Sequence, residues 1–102
     1  MEQYYGYRRV VGRVPCSLAG MYMKSDKSLE QLKCVDISKR GVGVSVSTPL
    51  RINSELSFDL DTTNLNHIHL QGEVCWCYKT PSSWRAGIRL GKEIPYELNR
   101  VV

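Results

Sequence analysis

The chain has one phenylalanine, two histidines and no Cys-x-x-Cys pair, and each shortage removes a class of protein. Without that pair, Cys16, Cys34, Cys75 and Cys77 match no zinc-site spacing and do not read as a disulfide framework. They read as small buried hydrophobes. No apolar run approaches the roughly 20 residues that cross a bilayer, so membrane insertion is not expected. The first residues, Glu2, Gln3 and tyrosines, lack the basic-then-apolar order of a secretory leader, which makes the cytoplasm the expected compartment and a disulfide framework unexpected.

His67-x-His69 and Cys75-x-Cys77 fall on one parity of an extended segment, and the outer two would lie about 33 Å apart along it. They cannot enclose one ion, and no metal site is expected. Neither histidine accompanies a Ser or Cys nucleophile in a motif, and Asp59 and Asp61 alternate with apolar residues as a solvated face. The chain is therefore not expected to be an enzyme.

What is present suits one small globular domain: 102 residues, 42% hydrophobic and 24% charged. The net charge of +4 accommodates an anionic partner without requiring one. Its local distribution is more telling, because Arg8, Arg9 and Arg13 share the first fifteen residues with a single acid, Glu2.

Residues 1–7 show no periodicity and are expected to be a flexible arm, followed by a β domain over 8–102. Val10 to about Leu18 is β-branched around Pro15, an edge-type first strand. Ala19-Gly20 suggests a turn, with Met21–Met23 a second short piece. Leu29–Ser38 is strand-like with an ambiguous inward face. Val42, Val44 and Val46 alternate with small residues, and Leu56, Phe58 and Leu60 alternate with polar ones. From His67 to Lys79 the alternation puts Ile68, Leu70, Gly72, Val74, Trp76 and Tyr78 on one side, with a bend or bulge at Gly72. Trp84, Ala86, Ile88 and Leu90 alternate with Arg85, Gly87 and Arg89. Pro95, Leu98, Val101 and Val102 suit a short C-terminal helix. The fold class is all-β, a small antiparallel barrel or sandwich of about six strands.

Two motifs carry chemistry. Asp36-Ile37-Ser38-Lys39-Arg40-Gly41 places a carboxylate, a hydroxyl and a residue without Cβ in one short stretch, the equipment for holding a small polar ligand. Arg9-Val10-Val11-Gly12-Arg13 lies about two dozen residues upstream and offers planar charged forks for phosphate or a purine face. Each motif alone is common; their order and spacing in a small β domain are not.

In these residues the chain resembles the PilZ domain family, receptor modules for cyclic di-GMP. The likeness rests on Arg9-x-x-x-Arg13, Asp36-x-Ser38-x-x-Gly41, Gly72-Glu73-Val74-Cys75-Trp76 and Ala86-Gly87-Ile88-Arg89-Leu90. Leu90 stands where the family often has an aromatic, which touches packing only. The resemblance implies a six-stranded antiparallel β-barrel with a flexible N-terminal arm, binding cyclic di-GMP and passing occupancy to a downstream effector protein, with no cofactor.

On that footing Arg9 and Arg13 would meet the phosphates and the O6/N7 edge of guanine. Asp36 would accept from guanine N1–H and the N2 amino group, Ser38 would bond guanine or phosphate, and Gly41 would admit close backbone approach. Arg8 would add charge or stack on a guanine face. Trp76 is a further candidate, because an aromatic near this point sometimes lies against the ligand in the family, although its parity places it in the barrel core. Two other readings are a small-barrel nucleic-acid binder and a ligand-independent adaptor. The first needs outward aromatics on adjacent strands, whereas both Trp residues share parity with apolar neighbours. The second is opposed by two intact motifs.

Overall fold

A computed structural model describes residues 13–62 and 66–91. Six strands, β1 (Val14–Met23), β2 (Leu29–Ser38), β3 (Gly41–Val46), β4 (Glu55–Asp61), β5 (His67–Lys79) and β6 (Trp84–Leu90), close into an antiparallel barrel in the order β1-β2-β3-β6-β5-β4. The expected arm at residues 1–7, Arg8, Arg9 and the C-terminal helix lie outside the described residues. No helix among the described residues is long and apolar enough to cross a membrane.

Alternation does what the sequence indicated in β3, β4 and β6. Val42, Val44, Val46, Leu56, Phe58, Leu60, Ala86, Ile88 and Leu90 all point into one buried core, with Trp84 packed at its margin. The first strand differs from expectation. Ala19-Gly20 is no turn, and β1 runs unbroken through it. Gly20 is there because β1 and β4 approach too closely for a side chain: a Cβ would run into the Asp59 carbonyl oxygen. Pro15 sits in the half of β1 that pairs with β2 and has no β4 partner among the described residues, where a missing N–H is tolerated.

Gly72 likewise is not the bulge of β5. Its register with β4 and β6 is continuous, and the glycine admits close contact with the Arg89 backbone. The irregularities lie elsewhere, between Pro15 and Leu18 in β1, between Cys34 and Asp36 in β2, and between Val74 and Trp76 in β5. The last two govern the outer surface.

Candidate functional site

An extra residue in one strand reverses the facing of every residue that follows it. In β2, Cys34 points inward, and strict alternation would turn Asp36 inward too. The bulge at Val35 instead sends Asp36 outward and brings Ile37 into the core, where it is buried. In β5, Val74 points inward and Trp76 would follow it. The bulge at Cys75 turns Trp76 outward, and Cys77 packs against the core in its place. Trp76 is therefore not barrel filling. The assignment of Cys75 and Cys77 to one face also fails, as does the reading of Cys75 as buried, since its side chain is exposed.

Both re-aimed residues meet one row of the outer wall. Across β2, β3, β6 and β5 the directly paired residues are Asp36, Gly43, Gly87 and Trp76. The two middle positions carry no side chain, and their neighbours lean over them. A Cβ on Gly43 would lie 2.6 Å from Asp36 Oδ1, and one on Gly87 would strike the Trp76 indole. The result is a shallow trough, with a carboxylate at one end and a stacked aromatic pair at the other. Trp76 and Tyr78 have ring centroids 5.5 Å apart and planes inclined by 16°.

The rows on either side supply charge. Towards the β2–β3 turn, Ser38, Gly41, Arg89 and Glu73 are paired in sequence across the same strands, and Arg89 forms an ion pair with Glu73. On the other side come Ser45, Arg85 and Tyr78. Arg13, entering just before β1, donates from Nη2 to Asp36 Oδ1 at 2.9 Å, and Arg85 Nη2 stands 3.5 Å from Asp36 Oδ2. The Ser38 hydroxyl donates to the Gly41 carbonyl at 3.3 Å and so closes its own turn.

Beside the trough a cavity of about 250 Å³ is lined by Arg13, Ser38, Arg40, Gly41, Cys75, Trp76 and Arg89, with Val42, Gly87 and Ile88 completing its wall. Arg13, Ser38, Gly41 and Trp76 thus share a cavity; Asp36 is not among its lining residues and is tied to it through its bond with Arg13. Arg40, Arg85 and Arg89 were not singled out from the sequence. A usable signal existed for two of them: in β6 the parity opposite the core residues reads Arg85, Gly87, Arg89, two cations flanking a bare position. Arg40 gave none, because a turn residue has no parity.

The thiols of Cys16 and Cys34 are shielded. Burial pushes the Cys34 thiol well above its ordinary value, and burial is also the main cause raising Cys16, whose Sγ lies 3.7 Å from that of Cys34. Both are therefore neutral and poorly nucleophilic at neutral pH. Among the described residues no group of three or more His, Cys, Asp or Glu could hold a metal ion. His67 and His69 instead form outer-surface pairs with Asp61 at 2.6 Å and Asp59 at 2.7 Å.

A closed six-stranded barrel carrying its polar constellation on the outer wall is the architecture of a PilZ domain. The PilZ domain family model matches residues 7–101, and the chain belongs to that family. Among solved structures it is similar to the PilZ domain of YcgR from Escherichia coli with c-di-GMP (13% identity, TM-score 0.72, covering 92% of this chain and 86% of that one). It is also similar to the Bacillus subtilis inhibitor of motility MotI/DgrA (12% identity, TM-score 0.70, 92% of this chain and 47% of that one). A third is E. coli YcgR in complex with c-di-GMP (14% identity, TM-score 0.72, 92% and 42%). The chain therefore spans less than half the length of two of these three. No curated protein matched by sequence.

Proposed function

We propose that this chain is a cyclic di-GMP receptor module, and that the ligand lies across the outer wall between Asp36 and Trp76. The observation that carries this reading is the meeting of Arg13 and Asp36, 23 residues apart in sequence, at 2.9 Å beside a cavity that Arg13 shares with Ser38 and Gly41. A cavity of about 250 Å³ is smaller than the roughly 300–1,000 Å³ of a typical drug-sized ligand site. It suits one base or one phosphate, with the rest of the ring compound extending over the trough.

The roles follow from the chemistry of the groups. Arginine forks suit phosphate oxygens and the O6/N7 edge of guanine, and the Asp36 carboxylate accepts from N1–H and the N2 amino group. The Trp76 face offers stacking to any base, so discrimination falls to Asp36. Arg8 and Arg9 would approach from residues 8–12, and the arm at 1–7 would be ordered by the ligand as those arginines engage it. Its ordering would change the surface shown to an effector protein. The module would work in the cytoplasm by binding, without catalysis.

Calorimetric titration with cyclic di-GMP tests this. Arg9→Ala, Arg13→Ala and Asp36→Ala should each weaken binding by about tenfold or more, as expected for charge-assisted contacts. The thermal transition of Arg13→Ala should stay near that of the wild type, since its side chain is exposed. Unchanged affinity in all three would remove the site. Salt-sensitive binding to single-stranded nucleic acid with no response to the dinucleotide would replace the reading altogether.

A further inference from the structure

Asp36 is shared by two arginines, and the sharing is uneven. Arg13 holds Oδ1 at 2.9 Å, while Arg85 reaches Oδ2 through Nη2 alone at 3.5 Å. The Nε of Arg85 is buried and has no hydrogen-bond partner among the described residues. Nε and Nη2 form one edge of a guanidinium, the edge that takes a carboxylate side-on through two parallel bonds. Arg85 thus makes one long bond of a possible pair, while Arg13 holds the carboxylate by the oxygen that the second donor of Arg85 would use.

We propose that Arg85 is a positioning residue: when an anionic ligand draws Arg13 off Asp36, Nε and Nη2 of Arg85 close on both oxygens of that carboxylate and hold it towards the ligand. The ligand part rests on the cyclic di-GMP reading given above. Without the handover, a phosphate taking Arg13 would leave the half-buried carboxylate with one long bond to Arg85, and the buried Nε would stay without an acceptor, as it is now. With it, the carboxylate keeps a cation and the Nε gains its acceptor. A carboxylate presents about four lone-pair directions, so two remain for the base. Arg85 is well sited for this, since its backbone is paired between Ser45 and Tyr78 on the two neighbouring strands and cannot follow the ligand.

The test reads the Nε–Hε signal of Arg85 in the full chain by nitrogen-15 NMR. In Arg13→Ala without any ligand, Oδ1 is vacated, and solvent exchange of that proton should slow by about tenfold relative to wild type. The same slowing should follow addition of cyclic di-GMP to the wild type and should be absent in Asp36→Asn. By calorimetry, Arg85→Met and Arg85→Lys should both bind cyclic di-GMP about tenfold more weakly, because a lysine supplies charge without the fork. Unchanged exchange in ligand-free Arg13→Ala overturns the handover whatever the ligand. Wild-type affinity in Arg85→Met overturns its role in binding. A wild type that gives no binding signal overturns the cyclic di-GMP reading, while the Arg13→Ala exchange still decides the handover.

Discussion

The two halves of the barrel wall are built differently. Where β4 pairs with β5, seven consecutive residue pairs run without a shift, polar residues face water, and histidines sit opposite aspartates. Where β2, β3, β6 and the end of β5 meet, the outer strands each carry a bulge, and the two inner strands present glycines between them. The regular half contributes mainly core. The irregular half gives up alternation at two points and gains an acid and an indole that lie over two buried glycines. Bulges beside a site are a general device for re-aiming side chains; here a matched pair aims at one row.

If this division is right, stability and binding respond to different substitutions. Phe58→Ala, in the regular half, removes one of the largest fully buried side chains and should cost about 3–5 kcal/mol in urea denaturation. Cyclic di-GMP affinity per folded molecule should hardly change, and a parallel loss of affinity would show the two halves to be coupled.

Gly87→Ala should do the reverse. Its methyl group would push the Trp76 ring off the floor, shifting tryptophan emission and lowering affinity by about tenfold, the scale of one lost base–aromatic contact. Its effect on stability should be smaller than that of Phe58→Ala, and an unaltered spectrum would mean that the indole does not rest there. Smallest of all, Asp59→Asn breaks an exposed pair with His69, 2.7 Å long, and should change stability by less than about 1 kcal/mol and binding not at all. A larger loss would show that the surface His–Asp pairs contribute to the stability of the regular half.

The regular strands were legible in the sequence because period-two patterning is a local property. Leu56, Phe58 and Leu60 declare their facing without reference to any other strand. The bulges were not legible for the same reason. Whether Asp36 and Trp76 point in or out depends on an unpaired residue, which only the partner strand reveals. The ambiguous inward face of Leu29–Ser38 is the trace of the first bulge, since no single parity puts both Cys34 and Ile37 inward. The second left a misleading trace, an apolar Trp76 in step with Val74. Gly20 is no turn and Gly72 no bulge, because a glycine required by close strand approach looks the same in sequence as one required by a turn or a register shift.

Mounting the constellation on the outside of a closed wall separates two kinds of constraint. Along each strand, neighbouring residues answer alternately to the hydrophobic interior and to whatever lies against the exterior, so a substitution in one set leaves the other undisturbed. Interior positions are free to exchange one aliphatic shape for another, provided volume is conserved. A handful of outward positions can keep their chemistry meanwhile. That independence lets one backbone serve barrels that share only 12–14% of their residues.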